Sequence, residues 1–471
     1  MSERKENKTL DTTGKSIVSL MAALLVAIFA FQLNASMLSP ALTTMEHELN
    51  TTSAQIGLTQ TVFFTAAALF SLFLPRLADL IGRKKVLVGM LVITTLGCIV
   101  SALAPNVAIL MIGRILQGTA GPIVSMCLIM LHQAVTEEKR YTKLMAILTS
   151  VNGGIAGVDA IFGGFLAGTW GFRSVFVAMA IIAGLAIVLV YLFAEESTAE
   201  ETPAMDWLGA FLLVVAMGTL ITAINEMQKL AAANWGLTVI LLIVSVVCFV
   251  AFWMVEKRSA APMVSTVYLK QRRTWGLLLS TTLTMTGIFA VMNGIVPAVA
   301  QDPTYGTGLS ASVVSFATLT PYALIGLAFG PIAGVLAARF GYLKVLRAGL
   351  AVSTLGMLFA VYVAAHPSIW GLVLVSIVLG FSYAGTVNIM LNGLSIVLSP
   401  ADNPGYLPGL NSGAFNLGAG LSYVALYAAL SMFTQSSSVS AGYVAAVVTG
   451  LVLVILALGA SFLVPKPDVD K

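Results

Sequence analysis

The stretch Leu74–Leu87, LPRLADLIGRKKVL, decides the fold. It sets five charges, Arg76, Asp79, Arg83, Lys84 and Lys85, in a tight turn between two runs too apolar to lie in water. Such a turn must stand outside a hydrocarbon layer, because a charge at the bilayer centre is costly, and it therefore fixes the membrane side of its surroundings. The composition extends this reading to the whole chain. Charged residues make up 9% of the sequence and hydrophobic residues 58%, with a mean hydropathy of +0.97, whereas a soluble chain carries about a quarter of its residues charged. The apolar runs are long and continuous rather than alternating, which predicts membrane helices and excludes a barrel. Cys98, Cys127 and Cys248 all fall inside apolar runs at no metal-like spacing, so they read as small core residues, with neither a disulfide framework nor a zinc site.

Working outward from the charged turn, the pattern predicts an all-α integral membrane protein with fourteen spans. Six run roughly over 17–38, 56–74, 86–103, 107–131, 144–167 and 175–193. An acidic linker, AEESTAEETPAMD (Ala194–Asp206), precedes two more, 207–224 and 235–255, and a basic loop, 256–273. The last six cover 275–300, 312–337, 345–364, 369–398, 407–432 and 443–464. The first apolar run is too long for a cleaved signal and reads as a permanent span. With both termini cytoplasmic, 21 of the 24 Lys and Arg residues fall to the inner side, Arg347 at the inner end of its span among them; only Arg173 and Lys229 lie in outer loops, and Arg114 is left inside the membrane. That asymmetry supports the even count.

The chain also repeats itself. RLADLIGRKKVL after span 2 has an echo, VLAARFGYLKVL (Val335–Leu346), after span 10, with Gly341 matching Gly82 and Ala338 standing where Asp79 stood. Six spans, an inserted pair and six more predict two parallel halves, with domains 1–193 and 274–471 separated by 194–273.

Two signatures, LADLIGR (Leu77–Arg83) and LMIGRILQGTAG (Leu110–Gly121), make the chain resemble the major facilitator superfamily, and within it the fourteen-helix branch of drug:proton antiporters. The resemblance covers essentially the whole chain. It implies alternating access, a gating charge relay at Asp79, Gly82 and Arg83, and a part for Arg114 in proton translocation. On physical grounds alone, Arg114 should face the bundle interior, beside Gln117 and a strip of Gly118 and Gly121.

Two departures from that branch stand out. Where the branch carries an acid in the first span, this chain has Asn34, within LNASMLSPALT (Leu33–Thr43), and an amide does not titrate. The Gly-Pro that precedes Gly-Gly in its fifth span is replaced by Asp159-Ala160 ahead of Gly163 and Gly164. Asp159, on a face shared with Asn152, Ala156 and Gly163, is therefore expected to take over protonation, with Arg114 answering it as a partner. Neutral groups in the spans, Asn34, Gln117, Asn152, Asn293, Tyr322, Asn388, Asn392 and Asn411, with Gln32, Gln60 and Tyr383, predict a hydrogen-bonding substrate cavity at midplane depth.

The resemblance implies a secondary transporter exporting amphipathic drugs in exchange for protons. The alternative is proton-coupled uptake, or facilitated passage, of a small polar or anionic metabolite, toward which the lost Gly-Pro and the amide-rich cavity lean. An enzyme is not expected: His47, His132 and His366 are scattered near span ends and no phosphate loop is present. Energy is expected from the proton gradient with no cofactor. The expected partners are a small-molecule substrate, protons and the lipid bilayer, without nucleic acid, for a monomer in the bacterial cytoplasmic membrane.

Overall fold

A computed structural model describes residues 14–135, 137–197, 206–227, 233–259, 266–400 and 406–467. The chain is built from long helices, and no strand occurs among the described residues. We label them α1 (Gly14–Ser36), α2 (Ser53–Ile81), α3 (Arg83–Ala102), α4 (Val107–Gln117, resuming at Ile123–Ala134), α5 (Glu138–Trp170), α6 (Phe172–Phe193), α7 (Trp207–Met227) and α8 (Trp235–Arg258). Then follow α9 (Arg272–Ala290, resuming at Val296–Gln301), α10 (Ala311–Val314 and Thr320–Phe340), α11 (Tyr342–Ala365), α12 (Ile369–Leu379 and Asn388–Val397), α13 (Tyr406–Ser436) and α14 (Val439–Ala460). Among the described residues, thirteen helical runs are long and apolar enough to cross a membrane. The helix α5, with 33 residues, is roughly 50 Å long at 1.5 Å per residue.

The charged turn is tighter than its sequence suggests. Helix α2 continues to Ile81, so Arg76 and Asp79 are helical, and Gly82 alone separates α2 from α3. Its φ of +117° is open to glycine and costly for other residues. Gly341, its counterpart in the echo, likewise stands alone between α10 and α11 with φ +89°. Arg83 bonds Asp79 at 2.7 Å, and the Glu196 carboxylate accepts the amides of Lys84 and Lys85 at 3.0 and 3.2 Å. An acid at the first turn of a helix offsets the helix dipole and supplies acceptors for its free amides.

Two seams join the first six helices to the last six: α2 lies along α13, and α5 lies against α10. The inserted α7 and α8 pack chiefly on each other, with a lesser contact to α2. At the end of the bundle that the sequence reading expects to face outward, called the outer end below, Gln301 donates to the Pro40 carbonyl at 3.3 Å and Ser312 to the Gly164 carbonyl at 3.2 Å. Just beyond α9, Asp302 accepts from the Thr304 and Tyr305 amides at 2.9 and 3.0 Å. Partial burial opposes its charge, but these donors and the Thr304 and Tyr443 hydroxyls outweigh it and hold the carboxyl below the usual carboxylate range.

Small residues set the helix spacing. A Cβ on Gly121 would fall onto the Ala67 carbonyl and 2.7 Å from its Cα. Gly121→Leu should therefore cost about 1–3 kcal/mol by overpacking, read as a lower melting temperature in detergent. Gly184→Leu, where a Cβ meets nothing within 4 Å, should leave it unchanged. Equal melting of the two variants would contradict this packing.

Candidate functional site

Arg114 is fully buried, and its charge is met by neutral groups. Its Nη1 donates to Gln117 Oε1 at 2.5 Å, and Nη2 donates to Gln60 Oε1 at 2.9 Å and to the Asn34 carbonyl at 3.2 Å. The guanidinium lies over the Phe63 ring, 4.1 Å from its centroid, which adds a cation–π attraction. Gln117 passes the network on to Ser101 at 2.9 Å, and the Asn34 side chain accepts from the Cys98 thiol at 3.6 Å. This brings α1, α2, α3 and α4 together around one cation, and Gly118 allows it, since a Cβ there would fall 3.0 Å from the Ala67 nitrogen and the Phe63 carbonyl of α2.

The expected Asp159–Arg114 partnership is not formed. Among the described residues the salt bridges are Arg83–Asp79 and Arg173–Glu48. Asp159 is 3% exposed and accepts instead from Ser36 at 2.5 Å through Oδ2, while Oδ1 has no hydrogen-bond partner among the described residues. The reason is the intervening α1. Arg114 and Cys98 reach it at Asn34, whereas Asp159 reaches it at Ser36, and two residues along a helix stand roughly 200° apart. The two ionisable groups thus flank α1 from different sides, with Gly163 of α5 set tightly on the Met37 carbonyl.

The neutral cavity residues do not converge on one pocket. Asn293 lies in a π turn, Val291–Ile295, that interrupts α9. It accepts from Ser39 at 3.4 Å, and its carbonyl takes the Tyr423 hydroxyl at 3.2 Å. This group, with Asn34, Gln60, Arg114 and Gln117, belongs to the outer part of the bundle. Asn388, Asn392 and Asn411 form a separate inner knot: Asn392 donates to Asn388 at 2.8 Å, and Asn411 meets Asn392 at 3.5 Å and Thr281 at 2.7 Å. Tyr322 and Tyr383 stack at 6.4 Å within the last six helices, and Tyr383 donates to Met285 Sδ at 2.6 Å. The physical cause of the division is local. An amide in an apolar span bonds the nearest polar group on an adjacent helix at its own depth. Asn152 lies in a part of α5 whose side chains are outside the described residues.

The sequence reading missed the aromatic bridge that spans the two halves. Phe64 of α2 packs against Phe289 at 5.1 Å and Tyr423 at 6.3 Å, and Phe63 lies 4.9 Å from Phe64. Phe31, stacked on Phe63 at 6.4 Å, and Phe289 are partly exposed. It also missed Ser36 and Ser39, which the motif LNASMLSPALT contains without marking. Two further π segments, Ser315–Leu319 and Gly380–Val387, interrupt α10 and α12. Such turns rotate the following face and recur at functional sites.

Chemically, the outer site offers fixed amides, hydroxyls and ring faces between the halves, with one buried acid to one side. That inventory suits an uncharged, planar, hydrogen-bonding solute better than a lipophilic cation, for which an accessible carboxylate would be needed.

Residues 24–300 match the family model described as Major Facilitator Superfamily. The chain is 63% identical over 463 residues to the uridine/deoxyuridine transporter of Lactococcus lactis subsp. cremoris, covering 97% of this chain and 96% of that protein. It is 26% identical to the multidrug resistance protein Stp of Mycobacterium tuberculosis, over 79% of this chain and 68% of the other. Among solved structures, that of a POT family transporter in complex with 5-aminolevulinic acid superposes with a TM-score of 0.69 at 12% identity, over 95% of this chain and 96% of that one, which shows a shared fold. The expectation of multidrug efflux is overturned here: the near full-length relative is a nucleoside transporter by name, and the drug-resistance relative is far more distant.

Proposed function

The chain belongs to the major facilitator superfamily, a multi-pass membrane transporter rather than an enzyme, and from that premise we propose that it takes up uridine and deoxyuridine in symport with protons. The observation that carries this reading is the 63% identity, held over 97% of the chain, to a uridine/deoxyuridine transporter. The site's chemistry supports it. A uracil ring presents one N–H and two carbonyls on a flat face, and the ribose adds hydroxyls, which amides, serines and the Phe64–Phe289–Tyr423 bridge are equipped to meet.

In this reading fourteen spans form two six-helix bundles, 1–193 and 274–471, that rock about the central space, while 194–273 carries the linker and the inserted pair. Both termini face the cytoplasm of a bacterial cell, and the protein works as a monomer. Asp159 carries the coupled proton, since Asn34 has no titratable group and Arg114 is engaged by neutral acceptors. The loop of Asp79, Gly82 and Arg83 holds one state of the cycle closed at the inner face.

The test is radiolabelled uridine uptake into vesicles with an imposed proton gradient. Uridine and deoxyuridine should saturate uptake and compete with one another, and an excess of ethidium should leave it unchanged. Ethidium export with no uridine flux would sink the proposal.

A further inference from the structure

Gln60 is 1% exposed, and the two ends of its amide differ in their surroundings. Oε1 accepts from Arg114 Nη2 at 2.9 Å. A guanidinium only donates, so turning the amide over would set N–H against N–H, and the charge-assisted bond fixes the orientation. Nε2 is thereby held as a donor, and it has no partner among the described residues. Its position is at the seam between the halves. One turn before it, Gly57 leaves no room for a side chain, since a Cβ there would fall 2.8 Å from the Tyr427 ring; beside it, Thr61 donates to the Gly420 carbonyl at 3.0 Å; one turn after it, Phe64 meets Phe289 and Tyr423. In the alternating-access reading above, opening of the outer side parts this seam and turns the donor toward the incoming solute.

We propose that Gln60 Nε2 donates to a carbonyl oxygen of the pyrimidine base, and that Arg114 is the positioning residue that aims it. This rests on the nucleoside reading above and assigns the group that reads the base. A buried N–H left without an acceptor is unfavourable, and a base carbonyl relieves it. Because Oε1 is committed to Arg114, Gln60 cannot turn to accept from an amino group. A base with an amino group at the position Gln60 reads would meet donor against donor. Specificity then follows from a penalty on the wrong solute as much as from a bond to the right one.

The measurement is uptake kinetics of uridine, 2-thiouridine and 4-thiouridine by the wild-type protein and Gln60→Met, which removes donor and acceptor with little change in size. Sulfur accepts hydrogen bonds weakly, so the wild type should show a KM raised by up to about tenfold for the one thio compound altered at the atom Gln60 reads. In Gln60→Met the uridine KM should rise by a similar factor and the thio penalty should vanish, while the loss of the Arg114–Gln60 bond shows in the maximal rate and not in the thio preference. If Gln60→Met does not reach the membrane, Gln60→Glu, which puts an acceptor where the donor stood, must raise the uridine KM at least as far. A variant with the wild-type KM and thio preference overturns the assignment, as does a fall in maximal rate at constant KM. A wild-type protein that moves no uridine overturns the nucleoside reading itself, and the two failures are distinguishable by that control.

Discussion

Replacing Arg114 with Met lowers the maximal uridine transport rate by roughly a hundredfold or more, while the protein still inserts into the membrane. Three acceptors, Gln117 Oε1, Gln60 Oε1 and the Asn34 carbonyl, lie 2.5 to 3.2 Å from its guanidinium nitrogens. Hydrogen bonds to a charged group are worth about 1.5–3 kcal/mol each, and orphaned buried acceptors carry their own penalty. Losing two such bonds amounts to about 3 kcal/mol, or roughly a hundredfold in an equilibrium between conformational states. The penalty falls on α1, α2 and α4 together, and α2 forms one side of the seam with α13. Arg114→Lys should recover only part of the rate, because a single ammonium cannot span acceptors on three helices as a planar fork does. Transport kinetics in vesicles, paired with size-exclusion profiles of the purified variants, decide the matter. An Arg114→Met protein with wild-type rates would show that the cation is a packing element only.

Asp159→Asn should abolish concentrative uptake and spare exchange. The amide keeps the shape of the carboxyl and can still accept from Ser36, which bonds Asp159 at 2.5 Å in the native chain, but it cannot take up or release a proton. One charge moved through 100 mV is worth about 2.3 kcal/mol, so coupling to one proton supports roughly fiftyfold accumulation. In the variant, accumulation should fall to equilibration while uridine counterflow continues, and the pH dependence of uptake should flatten. Accumulation that stays at the wild-type level would remove Asp159 from the coupling step and leave the proton path unassigned. The absence of an Asp159–Arg114 contact sharpens this test. With α1 between them, the acid can change its charge without breaking a bond to the cation, so the two substitutions should have separable effects.

The substrate class illustrates how far a motif carries. LADLIGR and LMIGRILQGTAG carry the resemblance to the superfamily, yet the first forms the α2–α3 turn and the second the buried Arg114 segment, and neither specifies the solute. The two departures, Asn34 in place of an acid and Asp159-Ala160 in place of Gly-Pro, were the informative residues. Asn34 lies on α1 and Asp159 on α5, and they meet at α1, which Arg114 reaches at Asn34 and Asp159 at Ser36.

By itself the sequence determined the membrane fold, a charged turn within Leu74–Leu87 with its echo over Val335–Leu346, and the burial of Arg114 and Asp159. These follow from costs that add residue by residue along the chain, the transfer of apolar groups into lipid and the exclusion of charge from it, so a one-dimensional reading captures them. Only the tertiary structure decided which buried groups answer one another: Arg114 with Gln60, Gln117 and Asn34, Asp159 with Ser36, and Asn411 with Thr281 rather than with the outer amides. Partner choice depends on which side of α1 a group approaches, on the depth at which helices cross and on the π turns that rotate α9, α10 and α12. Those are relations between helices, and no periodicity within a single helix contains them.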